Sequence, residues 1–263
     1  MPTLEARGVE IAWKERGRGA PLLLIHETAA NSPVWDGVSE AISSRARAIS
    51  YDRRGWGRST APVGYRRTTV EEQSEDAAAL IEAIHAGPIV ACGAGSGAVV
   101  ALDLLLRRPE LVAGTVLIEP PLLQLLPVAT EALSDDRRRL ETAAATGEDV
   151  LGLYLSGGLP ALGPGVARLP EPMRSAARDR PASLIAELGL AVGWRLPLPR
   201  LARADRPSVI VTARSTPPLL GEAAVALARR LGGSSARELA AGELPPHLGA
   251  PAEVATIAAE LTP

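Results

Sequence analysis

Phenylalanine is absent from this chain, lysine occurs once, at Lys14, and cysteine once, at Cys92. A lone cysteine excludes an intramolecular disulfide, and its place inside the apolar run PIVACG marks it as a small buried hydrophobe. Metal-ligand spacings are missing, as are a phosphate-cradling loop and any run of apolar residues long enough to span a membrane. The opening residues MPTLEARGVEIAWKERGRGA carry no apolar stretch behind a basic one, so a cytoplasmic protein is expected. Excess charge of one sign is lacking too: at a formal net charge of −2, nothing draws the chain to nucleic acid or to anionic lipid. The expected partner is a small molecule, with no nucleic acid, membrane, metal or cofactor.

What is present is a core. Hydrophobic residues make up 46% of the 263 and charged ones 22%, a balance that suits one large folded domain. Apolar runs of strand length recur at 21–25, 46–51, 88–92, 115–118 and 207–211, and helix-like stretches at 69–85, 97–107, 219–231 and 251–261 separate them. Thr69 with Glu72 three residues on reads as a capping box. This alternation predicts an α/β fold: a mostly parallel, doubly wound sheet with helices on both faces, edged by an antiparallel hairpin over residues 3–16. The stretch 120–203 breaks the rhythm and reads as helices and loops. It is expected to form a helical lid over the carboxyl ends of the strands, inserted into a core of residues 1–119 and 204–263.

Three local patterns then resemble the α/β-hydrolase family. PLLLIHETAANSPVW is similar to the strand and turn that supply one backbone donor to that family's oxyanion hole, usually with His-Gly where this chain has His26-Glu27. AISYDRRGWGRS looks like the family's Asp-x-x-Gly-x-Gly-x-Ser loop, in which Asp52 and the arginines are structural. ACGAGSGAVVALDLLLRRPELV matches the strand, elbow and helix that carry Gly-x-Ser-x-Gly. Aligned on that helix, Gly93 and Gly97 are the outer glycines and Gly95, not Ser96, falls at the nucleophile position. The elbow centre needs a positive φ, which glycine adopts without strain. Ser96 would begin the helix, its amide available to a developing anion; a shifted elbow would instead make its hydroxyl the nucleophile. CGAGSG also resembles a dinucleotide-binding turn, but no acidic ribose ligand follows a second strand.

The resemblance implies positions for the other triad members. The usual acid place, near Ser215, holds no carboxylate, while some members, the zearalenone lactonases among them, carry one where Glu119 stands. Glu119 is therefore either a catalytic acid or a strand-end residue that pairs with a lid arginine. In the loop AAGELPPHLGAPAEV a gapless reading puts the catalytic place on Leu244, beside Glu243; a shorter loop makes His247 the base. Glu27, beside the oxyanion hole, would repel a tetrahedral oxyanion and could instead serve as a general base or anchor a cationic or hydroxylated ligand. His26 either braces its loop or touches substrate, His85 is expected to be structural, and Trp194, Leu122 and Leu123 are expected to line an apolar pocket.

The function these residues imply is cofactor-free general-base chemistry on a small apolar carbonyl, ester or lactone, without an acyl-enzyme. His247 would be the base, Glu119 would orient it and the Ser96 amide would assist. Two alternatives stand beside it: a noncatalytic ligand-binding homologue, and a serine esterase using a shifted Ser96.

Overall fold

A strand that is apolar at every position must bury both of its faces, and the chain does so by placing its apolar runs in the middle of one eight-stranded sheet. The computed structural model, which describes residues 1–262, has strands β1 (Thr3–Ala6), β2 (Val9–Arg16), β3 (Ala20–Ile25), β4 (Ala46–Tyr51), β5 (Ile89–Ala94), β6 (Val112–Ile118), β7 (Ser208–Ala213) and β8 (Ser234–Leu239). Their order across the sheet is β1-β2-β4-β3-β5-β6-β7-β8. The first hairpin and its junction with β4 are antiparallel, and each later pair is parallel.

Helices α1 (Asp36–Ile42), α2 (Val70–Ala83) and α3 (Ser96–Arg107) join the early strands. Between β6 and β7 lie α4 (Ala129–Thr146), α5 (Val150–Leu155), α6 (Glu171–Arg178), α7 (Pro181–Glu187), α8 (Leu190–Gly193) and α9 (Leu198–Ala202), and α10 (Pro218–Ala228), α11 (Pro246–Gly249) and α12 (Pro251–Leu261) complete the chain. The α2 start is the expected capping box: the Thr69 hydroxyl accepts from the Glu72 amide at 3.1 Å and the Glu72 carboxylate from the Thr69 amide at 3.0 Å.

Period-two alternation sorts the apolar residues into two layers. Leu23, Ile25, Ala91 and Leu117 face α2, α3 and α10, whereas Leu22, Leu24, Cys92 and Val116 face α1 and α12. Burying each large aliphatic side chain stabilises the fold by roughly 1.5–3 kcal/mol, so the central strands hold it together. Strand β8 was not among the apolar runs because it lies at the sheet edge, where SSAREL keeps most of its residues exposed. Cys92 is buried in the second layer, and burial raises its thiol well above the ordinary value. No helix of the described residues is long and apolar enough to cross a membrane.

Candidate active site

Strand β5 ends at Ala94 and α3 begins at Ser96, so a single residue, Gly95, must reverse the chain. It does so at φ 51° and ψ −123°, a conformation that strains any residue with a Cβ. The flanking glycines serve close approach instead. A Cβ on Gly93 would lie 2.2 Å from the Gly97 carbonyl oxygen, and one on Gly97 would lie 2.3 Å from that of Ile25. The N-terminus of α3 is thereby drawn down onto β3 and β5, with its first amides pointing away from the helix and lacking intrahelical partners.

The end of β3 runs straight into this elbow. Glu27 stands against Gly95, its Cβ 2.9 Å from the position a Cβ on Gly95 would take. Against the resembling pattern, which has glycine after the histidine and serine at the elbow centre, this chain has exchanged the two: a side chain at 27 and none at 95. A side chain at 95 would be crowded by Glu27, just beyond the end of β3.

A cavity of about 70 Å³ opens at this point, bounded by Glu27, Thr28, Gly95, Ser96, Glu119 and His247 from the sheet side and by Tyr154, Leu162, Val166, Leu169, Glu187 and Leu190 from the helical insertion. On the same measure one water needs roughly 10–15 Å³, so the space fits a molecule of a few heavy atoms. Among the described residues no group of three or more histidines, cysteines and carboxylates is arranged to hold a metal ion.

His247 enters the cavity from α11, its ring tilted against Trp35 with centroids 4.8 Å apart. Its Nε2 lies 3.2 Å from Oε1 of Glu27, an ion-pairing distance without hydrogen-bond alignment, and both side chains are buried. Burial opposes the charge on Glu27, but the adjoining His247, Glu27's own backbone amide and the more distant Arg53 outweigh it and hold the carboxyl below its ordinary range. The other carboxylate oxygen, Oε2, is buried with no hydrogen-bond partner.

Ser96 faces a different set of groups. Its hydroxyl accepts from the Thr28 amide at 2.9 Å, shares a 2.9 Å hydrogen bond with the Thr28 hydroxyl and takes a 3.4 Å contact from Arg53. Arg53 in turn donates a fork to Glu187 of the insertion at 2.8 and 2.9 Å, and Glu187 also accepts from Trp56, Gln73 and Thr28. Both members of this pair are buried, and the Glu187 charge is retained with both oxygens matched, while Nε of Arg53 is left without a partner. The Ser96 oxygen is tied into that network.

Glu119 does not meet His247. Both of its carboxylate oxygens accept from Nη1 of Arg168, at 2.6 and 2.7 Å, and Oε1 also accepts from the Thr216 hydroxyl at 2.6 Å. Of the two readings of Glu119, the structure places it with an arginine of the insertion and not beside His247, and the carboxylate within reach of His247 is Glu27. Of the other expected residues, Gly95 lines the cavity, whereas His26 does not. Its Nδ1 meets the Glu27 carbonyl at 2.7 Å and its Nε2 accepts from the Arg53 amide at 2.9 Å, which braces the loop. Trp194, Leu122 and Leu123 are likewise not lining residues. Trp194 and Leu122 pack in the helix-covered layer of the core, the indole donating to Asp103 at 3.0 Å, and Leu123 sits in a small cluster with Ala129 and Ala223. A strand-end leucine next to prolines turns back toward the nearest apolar surface, and here that surface is the core. His85 occupies a tight turn at φ 49°, and Leu244 is partly exposed while His247 is buried. Thr28, Arg53, Trp35 and Glu187 are further neighbours of the site, and Arg168 is the arginine of the insertion that the pairing reading of Glu119 requires without naming it. Thr28, Arg53 and Trp35 lie within the stretches that resemble the family, whereas nothing local marks Arg168 or Glu187.

Residues 22–257 match the sequence model of the Alpha/beta hydrolase family. A curated relative, the uncharacterized hydrolase YraK of Bacillus subtilis, is 36% identical over 124 residues, 47% of this chain and 46% of its own length. The 2-(acetamidomethylene)succinate hydrolase of Mesorhizobium japonicum is 28% identical over 228 residues, 83% of this chain and 78% of that protein. Among solved structures, a thermophilic esterase from Thermogutta terrifontis with malate bound superposes with a TM-score of 0.75 at 25% identity, covering 98% of this chain and 95% of the other.

Proposed function

From the premise that this chain belongs to the Alpha/beta hydrolase family, we propose that it is an enzyme that hydrolyses small, largely apolar esters or lactones, or deprotonates a related carbonyl compound, by general-base catalysis without an acyl-enzyme. Relatives named hydrolase and esterase support the reaction class. The observation that carries the mechanism is the position of Glu27, which crowds the place a Cβ on Gly95 would take and stands 3.2 Å from His247.

Glu27 supplies the base through its carboxylate, which lines the cavity. A water held against it loses a proton to the carboxylate while its oxygen bonds to the carbonyl carbon and the π electrons move onto the carbonyl oxygen. Charge thus leaves the carboxylate as it appears on the oxyanion, and the repulsion of a few kcal/mol that a fixed carboxylate would impose vanishes at the transition state. The amide of Ser96, at the start of α3, faces the new anion. Collapse returns the Glu27 proton to the leaving alcohol. The adjoining His247 favours the ionised form of Glu27 in the resting site.

Ordinary serine catalysis finds less support, because the Ser96 oxygen is bonded to Thr28 and its neighbour Arg53 is committed to Glu187. The test is proton release from a panel of small esters and lactones, with Glu27→Gln as the variant. Turnover by the wild type and a fall in kcat of about 10²–10⁴-fold in Glu27→Gln are expected. Equal activity in the variant, or labelling of Ser96 by a fluorophosphonate, would overturn the reading. Inactivity across the panel would favour the noncatalytic ligand-binding alternative.

A further inference from the structure

The charged side chains that line the cavity are three carboxylates, Glu27, Glu119 and Glu187, and one imidazole, His247. Two of the carboxylates are neutralised from behind. Arg168 holds Glu119 and Arg53 holds Glu187, each through two charge-assisted contacts, and neither arginine reaches the lining. Glu27 is left with His247 beside Oε1 and nothing on Oε2, although the residue is only 9% exposed. A buried acceptor without a partner costs roughly 1–3 kcal/mol, which a ligand carrying a matching donor recovers. The walls around it are apolar, with Ile118, Leu162, Val166, Leu169 and Leu220 among them.

We infer that Glu27 makes this cavity selective for small apolar molecules bearing one hydrogen-bond donor, protonated amines foremost, and closes it to carboxylates. A carboxylate entering here would meet no free cation, since the nearest arginines are already forked to acids and His247 already faces Glu27. An ammonium or hydroxyl group, by contrast, gains the Glu27 carboxylate as its acceptor in a largely apolar site where charge interactions are strong. The same selection would drive an acid product out after ester hydrolysis. This inference shares Glu27 with the proposed mechanism and does not rest on turnover, because it concerns binding alone.

The probes are n-butylamine hydrochloride, n-butanol and sodium butyrate, which share one apolar tail and differ in the head group. Binding is measured by calorimetry at constant ionic strength and located by the backbone amide shifts of Gly95 and Ser96. Butylamine is expected to bind at least about tenfold more tightly than butyrate, about 1.4 kcal/mol, and Glu27→Gln to reduce that ratio by about the same factor. Butyrate binding as tightly as butylamine, or no binding of butylamine, overturns the inference using the wild-type protein alone. An unchanged ratio in a folded Glu27→Gln variant also overturns it. Lost turnover with an unchanged ratio would leave the base mechanism standing without this selectivity, and a shifted ratio with no turnover in either protein would do the reverse.

Discussion

Replacing Gly95 by serine would add a Cβ at φ 51°, 2.9 Å from the Cβ of Glu27, so the substitution meets a backbone cost and a contact cost together. Gly95→Ser is expected to destabilise the fold by about 1–3 kcal/mol in chemical denaturation. Alanine at 27 would keep the offending Cβ, so only Glu27→Gly removes the contact. The double variant should recover part of the loss, with a coupling on the order of 0.5–3 kcal/mol, and should gain fluorophosphonate labelling that Gly95→Ser alone lacks. Additive losses in the cycle would mean that the two positions do not compete for one space. Ser96→Ala answers a different question at the same scale. It strips the acceptor from the Thr28 amide, an expected loss of roughly 1–3 kcal/mol, and should leave proton release from esters far less affected than Glu27→Gln does.

At the scale of elements, one short turn of the insertion holds the cavity together. Arg168 lies in the 3-10 turn Val166–Arg168 and bridges the end of β6 through Glu119, the loop after β7 through Ser215, and the loop before α11 through the carbonyls of Glu243 and Leu244. That last loop positions His247. Arg168→Ala leaves the Glu119 carboxylate buried and uncompensated, and a loss of about 3–5 kcal/mol is expected from thermal or denaturant unfolding. Because the cut also frees the His247 loop, any ester turnover should fall with it, whereas a stability loss with activity intact would separate the two roles. The Arg53–Glu187 fork ties α7 to the core in the same way.

For the whole molecule, the group that sets the pH response near neutrality is His26. Burial, and then the positive charge of Arg53, hold its pKa well below the ordinary 6.5, against a smaller opposing effect from the Glu27 carbonyl. The unfolded chain takes up this proton as pH falls through 6.5 while the folded protein does not, so the unfolded state binds more protons and is favoured. Stability is therefore expected to be flat in this respect above pH 6.5 and to decline below it, by up to about 1.4 kcal/mol per pH unit. His26→Asn, whose amide can both donate and accept, should flatten that slope in denaturation curves recorded on either side of pH 6.5. Glu27, with its pKa also lowered, adds to the same decline further into the acid range: its contribution is present above the ordinary carboxylate value of 4.5 and is lost as pH falls through the lower folded value.

Local chemistry alone determined the alternating apolar runs and the Thr69–Glu72 cap, because each depends on residues within one turn or one strand of one another, while the resemblance to the family supplied the elbow with Gly95 at its centre. Edge strand β8 escaped that reading since an edge exposes polar side chains and leaves no apolar run. The choice of carboxylate for His247 belonged to the tertiary structure. Glu27 and Glu119 both stand at strand ends beside the cavity, and the sequence leaves open whether Glu119 serves His247 or an arginine of the insertion; the fold gives it to Arg168 while α11 brings His247 to Glu27. Pairing between distant side chains is decided by where the packed elements put them, and a strand-end acid takes whichever cation or imidazole the fold brings within about 4 Å.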